Sequence, residues 1–386
     1  MGGSKLMSVP FFKPSIGNEE IESVAEVLRS GWLTKGRLTE KFEESCKSFL
    51  SASDCLAVSS GTAGLHLALL SLGLKPGDEV ITTSLTHVAT VQAILYVGAK
   101  PVFADIDPET MNLSPQEVLK RITRKTKAIL PVHFAGHPCD MDEFKNIAKD
   151  YNIRIVEDAA HAFGASYNGR MIGSDSLSDI TVFSFYPNKP ITTGEGGLVC
   201  GSKEVIGRLR VISHHGIVYP INGRLWKYDA LELGYKYNFT DIQAAIGLVQ
   251  LSKAKDLLLK RKKWFELYNE AFKDEEALIK PVVKKYAFPS YYIYPLRLNL
   301  EALRCSRDEF ALSLEKEGVG ISVHYSPPVH LHSYYLRTLG VKESFLPITE
   351  EASKSEISLP LYPDMTEEEF DFVVDKVFKL LKVFKR

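Results

Sequence analysis

Five short apolar runs alternate with four helical patterns between residues 55 and 157, and this alternation most narrows the folds open to the chain. The runs are CLAV (55–58), EVITT (79–83), KPVFAD (100–105), KAILPV (127–132) and IRIVED (153–158). Between them lie LHLALLSLG, VATVQAILYVG, SPQEVLKRI and MDEFKNIAKDY, each with apolar residues at helical spacing. Strands that are apolar throughout are buried on both faces, which calls for a parallel sheet with helices on either side.

A further helix is expected after Asp158, placing His161, three residues on, on the same face. DITVFSFY (179–186) and GGLVC (196–200) read as two more strands of this sheet. Residues 202–237, with HHGIVYPINGRLWKYDALELGYKY, show little periodicity and read as a long loop. Thr240 then opens a long helix, TDIQ being a capping box with Gln243 reaching back. Beyond it YYIYPLRLN and GISVHYS look like strands around the helix SRDEFALSLEKEG, and a last helix covers 366–384. The expected division is an N-terminal arm over 1–12, a large domain over 13–252 and a smaller α+β domain over 253–386. The opening MGGSKL reads as a remnant ahead of Met7 rather than a targeting segment.

Charge excludes some partners: 47 basic against 48 acidic residues, with no basic stripe, argue against a nucleic acid. No run approaches the ~18 apolar residues of a membrane span. Five scattered cysteines without CxxC pairing (Cys46, Cys55, Cys139, Cys200, Cys305) suggest reduced thiols in the cytoplasm and no metal site.

Open α/β sheets bind ligands at the carboxyl ends of their strands. After CLAV comes SSGTAGLH, where small residues open a helix whose free N–H groups suit a phosphate; a plain N-cap by Ser60 or Thr62 accounts for the same residues. There is no GxxxxGK[ST] and no GxGxxG, which disfavours nucleotide triphosphates and nicotinamide dinucleotides. After IRIV come Glu157, Asp158 and His161, where a carboxylate could cap a helix or pair with a protonated ring nitrogen. After TVFSFY comes Lys189, between Pro187 and Pro190, held out of any helix by both rings. Buried lysines lose their charge readily and become nucleophiles toward aldehydes. A phosphate site, a strand-end carboxylate and a constrained lysine together ask for pyridoxal 5'-phosphate (PLP).

SSGTAGLHLALLSLG, GAKPVFADIDPETMNL, PVHFAGHPCDMD, VEDAAHAFGA, FSFYPNKPITTGEGG and GYKYNFTDIQAAIGLVQL together resemble the DegT/DnrJ/EryC1/StrS sugar-nucleotide aminotransferases. The resemblance runs from about residue 10 through HYSPPVHL (324–331) to LPLYPDMT (359–366). It implies the aspartate-aminotransferase fold (PLP fold type I), with a mostly parallel seven-stranded sheet. Position by position it makes Lys189 the lysine that holds PLP and Asp158 the partner of the ring nitrogen, with His161 beside the ring. Thr62, the backbone of Ala63 and Ser184 would contact the phosphate. Asn238 would reach the phosphate of a neighbouring subunit, implying a homodimer with shared sites. His87 stands where relatives carry a stacking aromatic residue. Trp32, Thr34, His324 and Tyr325 would line the sugar-nucleotide site. The implied reaction moves an amino group from L-glutamate to a keto group, C4, of a nucleotide-linked keto-sugar, UDP being the expected nucleotide. The motifs EDAAHA and GYKYNFTD resemble most the branch making UDP-4-amino-4-deoxy-L-arabinose, with polysaccharide and lipopolysaccharide synthesis among the pathways served. A silent sensor of the same fold, or another PLP reaction such as a lyase, stays open at this point.

Overall fold

The computed structural model describes residues 7–219, 226–340 and 344–386. Seven strands form one sheet: β1 (Asp54–Val58), β2 (Glu79–Thr83), β3 (Lys100–Ala104), β4 (Thr126–Leu130), β5 (Arg154–Asp158), β6 (Ile180–Ser184) and β7 (Gly197–Gly201). Their spatial order is β1-β7-β6-β5-β4-β2-β3. Only β7 runs against the others, pairing antiparallel with both β1 and β6.

Strand periodicity explains why the runs are apolar throughout. In β1, Cys55 and Ala57 face one core while Leu56 and Val58 face the other. In β4, Ile129 points to the first and Ala128 and Leu130 to the second. The first face is covered by Phe42, Cys46 and Leu50 of α2 (Arg37–Leu50), which follows α1 (Asn18–Ser30), and by Phe144 and Ile147 of the helix Met141–Tyr151. The second is covered by Leu65, Leu67, Ala68 and Leu69 of α3 (Gly61–Ser71) and by Ala93 and Ile94 of α4 (Val88–Tyr96).

The long helix Asp241–Ala271 opens with the expected capping box: Thr240 Oγ1 accepts the Gln243 N–H at 3.3 Å, and Gln243 Oε1 accepts the Thr240 N–H at 3.0 Å. Its first half packs Ala244, Ala254 and Leu257 into the sheet's core. Its second half carries Trp264, Phe265 and Tyr268 into a separate core, together with the antiparallel strands Tyr294–Leu298 and Glu356–Leu359 and the closing helix Glu367–Phe384. Val9 of the N-terminal arm also belongs to this second core.

Three sequence expectations fail. No helix follows Asp158; residues 159–165 form successive turns, Ala162 N–H bonding to Ala159 O at 2.8 Å. Residues 202–237 are not all loop: Ser202 caps a helix over Lys203–Ile212, which buries Ile206, Leu209 and Ile212 at three-residue spacing. Residues 220–225 of that stretch lie outside the described ones. Among the described residues GISVHYS makes one bridge, Ser322 with Ser358, and Pro327 and Pro328 just beyond it have no N–H to extend a ladder. Among the described residues no helix is long and apolar enough to cross a membrane, and no group of three His, Cys, Asp or Glu is placed to hold a metal ion.

Candidate active site

The carboxyl ends of β1, β2, β4, β5 and β6 open onto one cavity of about 430 Å³. The topology brings them there, since parallel neighbours all end on the same sheet edge. From the sequence-predicted set, the cavity walls include Thr62, His87, Asp158, His161, Ser184, Lys189, His324 and Tyr325.

Lys189 is positioned by a β-turn. Tyr186 O accepts the Lys189 N–H at 2.9 Å, with Pro187 and Asn188 between them; proline at the second position pre-sets the turn's φ. The Lys189 amine donates to Tyr292 Oη at 3.3 Å and lies 4.5 Å from the centre of that ring. Burial presses it from the ordinary lysine value down to about 7, against the opposing pull of the Asp158 charge. At neutral pH the amine therefore spends much of its time uncharged and nucleophilic.

Asp158, at the last position of β5, is nearly sealed from water. Its Oδ2 accepts from Thr90 Oγ1 at 2.7 Å, and its Oδ1 accepts the Ala160 N–H at 3.1 Å. Thr90 in turn bonds Thr86 at 2.7 Å, so a buried pair of hydroxyls fixes the carboxylate's plane. His161 reaches the cavity through the turn rather than a helix. Its ring stacks on Tyr292 at 4.2 Å, and its Nε2 bonds Tyr325 Oη at 3.2 Å. Burial, and then the Lys189 charge, hold it well below the usual histidine range, so the ring is neutral. His87 caps α4, its Nδ1 accepting the Ala89 N–H at 3.2 Å.

The start of α3 is suited to an anion. Ser60 Oγ takes the Ala63 N–H at 3.1 Å, leaving the Gly61 and Thr62 N–H groups without partners among the described residues. Ala63 does not line the cavity, so Gly61 and Thr62, not Ala63, present donors to it. Asn238 lies outside the cavity, bridged to Val58, with its side-chain amide on Phe239 O at 3.3 Å. Trp32 and Thr34 are exposed and also outside it; the Trp32 indole is turned to Lys35 O at 3.2 Å.

Sequence reasoning missed Tyr292, Thr90 and Arg261. The Arg261 guanidinium is buried without a carboxylate partner among the described residues. It holds Tyr292 O at 3.1 Å, Leu361 O at 3.0 Å and Lys189 O at 3.5 Å, joining three distant segments behind the lysine. Burial lowers its pKa to about 10. Thr86 and Thr90 stood four residues apart on either side of His87, a legible spacing. Nothing in YYIYP marks which tyrosine faces the lysine.

These groups fit a phosphorylated pyridine aldehyde. Two free N–H groups open the helix, a carboxylate is locked in place, an amine is partly neutral, and His161 Nδ1 and Asn188 Oδ1 are buried with no partner among the described residues. A solved structure of the same fold carries such a cofactor. Spr1654 of Streptococcus pneumoniae in its PLP form is 32% identical, with a TM-score of 0.90 over 98% of this chain and 99% of that one. PseC of Helicobacter pylori, an aminotransferase involved in the biosynthesis of pseudoaminic acid, gives 29% identity and a TM-score of 0.92 over 98% and 100%. The spore coat polysaccharide biosynthesis protein SpsC of Bacillus subtilis is 41% identical over 382 residues, 97% of each chain. Fold and cavity together define a PLP-dependent sugar aminotransferase. The chain belongs to the DegT/DnrJ/EryC1/StrS aminotransferase family, whose pattern matches residues 14–378.

One glycine makes the anion site testable. A Cβ on Gly197 would lie 2.6 Å from Ser60 C and O and 2.8 Å from Gly61 N, and backbone cannot swing aside as a side-chain tip can. Gly197→Ala is expected to displace the 60–62 turn, weakening PLP binding about tenfold or more and costing ~1–3 kcal/mol of stability. Cofactor titration of the apoprotein and chemical unfolding read the two effects separately.

Proposed function

We propose that this enzyme transfers the amino group of L-glutamate to the C4 keto group of a UDP-linked keto-sugar, as a homodimer, in the manner of enzymes making UDP-4-amino-4-deoxy-L-arabinose. The observation that carries the reading is Lys189: one partly neutral amine in a cavity bounded by Asp158 on one side and His324 and Tyr325 on another. Bound PLP supplies an electrophilic carbon and an electron-accepting ring. The chain's residues do the rest. Lys189 would hold the cofactor and, once freed by the amino donor, would take the proton from the donor's α-carbon and, in the second half-reaction, place one on the former keto carbon of the sugar. Asp158 favours the protonated ring nitrogen by opposite charge. The Gly61 and Thr62 N–H groups, with the Ser184 hydroxyl, receive the phosphate. Tyr292 and His161 form the wall against which the released lysine rests.

The proposed division of labour puts the cofactor in a body over 13–252, while 253–386 contributes Tyr292, His324 and Tyr325. Two features support the dimer. Ile16, Ile21, Val24 and Leu28 line an apolar groove of about 560 Å³ with Pro187 and Gly194 of the lysine loop, and Ile21 and Leu28 are 61% and 55% exposed. Asn238, Trp32 and Thr34, assigned to cofactor and substrate by resemblance, all lie outside their own chain's cavity.

A visible absorbance spectrum of purified protein, taken before and after L-glutamate, tests the first half-reaction. The band of the lysine-bound cofactor should fade to that of the amine form, then return only with UDP-linked 4-keto-sugars in a panel of keto-sugar nucleotides. A band indifferent to glutamate would overturn the donor, and return with another class of sugar nucleotide would overturn the acceptor.

A further inference from the structure

Behind His324 lies a buried chain of polar groups that the reaction above does not use. Glu356 is wholly sealed, and its Oε2 accepts the His324 backbone N–H at 2.6 Å. Its Oε1 shares a short hydrogen bond with Ser358 Oγ, which in turn lies 2.8 Å from His324 Nδ1. The ring of His324 lines the active-site cavity, and its Nε2 has no partner among the described residues.

Hydrogen counting on these three groups permits two arrangements. A serine hydroxyl carries one proton, so Ser358 can donate to His324 or to Glu356 but not to both. Because Oε2 accepts an N–H, the proton of a neutral Glu356 belongs on Oε1. Glu356 then donates to Ser358, Ser358 donates to Nδ1, and the single ring proton of His324 is on Nε2, pointing away from the relay. When Glu356 is ionised, Ser358 donates to Oε1 and Nδ1–H donates to Ser358, which leaves Nε2 a bare acceptor. Passing from the first to the second moves one proton from Glu356 to Ser358 and one from Ser358 to Nδ1. The proton lost leaves from Nε2.

We propose that Glu356 and Ser358 are positioning residues that set which hydrogen bond His324 offers to the cavity, a donor while Glu356 keeps its proton and an acceptor once it is lost. The inference deepens the reading of His324 as a substrate contact and rests on it for its consequence: an N–H suits the anionic oxygens of a nucleoside diphosphate, a lone pair repels them.

The surroundings place the switch near neutrality. Burial pushes Glu356 up to about 8, while the bonds from Ser358 and the His324 N–H and the charge of Arg307 pull the other way. Arg307, on the helix Arg307–Lys316, bonds Glu356 O at 2.7 Å and Ser326 Oγ at 2.9 Å and is itself paired with Asp308 at 2.6 Å. Tyr325, whose phenol burial keeps protonated, and Arg297, opposite Glu356 in the strand register, are its other titratable or charged neighbours. Burial, then Lys189 and His87, hold His324 down to about 3, so the ring stays neutral and carries one proton throughout. Tyr325, Tyr292 and His161 are its remaining titratable neighbours, with ring centres at 5.1, 6.3 and 6.4 Å.

The test uses full-length apoprotein labelled with ¹⁵N-histidine, His324 being assigned by its disappearance in His324→Gln. Ring-nitrogen shifts followed from about pH 6 to about pH 10 report the tautomer directly. Wild type should pass from Nε2–H to Nδ1–H across the titration of Glu356. Glu356→Gln, whose amide donates to Ser358 as the neutral acid does, should hold Nε2–H at every pH. Ser358→Ala should uncouple the tautomer from Glu356. A wild-type ring with one unchanging tautomer, or Glu356→Gln titrating as wild type does, overturns the relay. With the loaded enzyme, KM for the sugar nucleotide should rise about tenfold above the transition in wild type and stay flat in Glu356→Gln. A tautomer that switches without any change in KM upholds the relay and overturns instead the placing of the substrate's phosphates against His324.

Discussion

Lys189→Ala is expected to lower turnover by at least about 10⁴-fold, because in the proposed reaction one amine both anchors the cofactor and carries the proton. Alanine leaves the Tyr292–His161 stack and the Pro187 turn untouched, so the apoprotein should fold normally and still take up PLP without a covalent bond. Steady-state kinetics and the visible spectrum check this, and substantial turnover in the variant would sink the mechanism. The lysine also predicts a pH dependence. Its pKa is depressed to about 7, so it is charged below that value and neutral above it. The rate at which apoprotein captures PLP should rise as pH climbs through 7 and level off about one unit higher. An unperturbed lysine would keep gaining rate to about pH 10.

Asp158→Asn should cost about 10²–10³-fold in turnover and weaken PLP retention, the scale set by removing one preorganised electrostatic group. The local hydrogen bonds isolate charge as the cause. An asparagine can keep its Oδ1 on the Ala160 N–H and turn its Nδ2 to Thr90, whose hydroxyl then donates to Thr86. Geometry survives, and only the negative charge proposed to face the ring nitrogen is lost. Stopped-flow spectra of the glutamate half-reaction measure the effect, and near-normal rates would remove Asp158 from that role.

Much of the sheet was legible because its strands are short, apolar and bounded by turn residues. EVITT was placed at the residues it occupies, and CLAV, KAILPV and IRIVED within a few at either end. The helix after Asp158 failed because a caesura of turns and a helical start look alike in EDAAHA. The helix Lys203–Ile212 was overlooked beside the irregular stretch that follows it, although Ser202 and the three-residue spacing of Ile206, Leu209 and Ile212 announce it.

By itself the sequence determined the parallel sheet, the ends of its strands and therefore Asp158, Ser184 and Lys189 as neighbours, since side-chain period and turn chemistry are local properties of the chain. Only the tertiary structure decided that Tyr292 meets the lysine, that Arg261 joins three backbone segments, and that Glu356 and Ser358 stand behind His324. Those contacts link residues 103, 72 and 34 positions apart. No pattern along the chain records them, because burial and packing between the two cores create them.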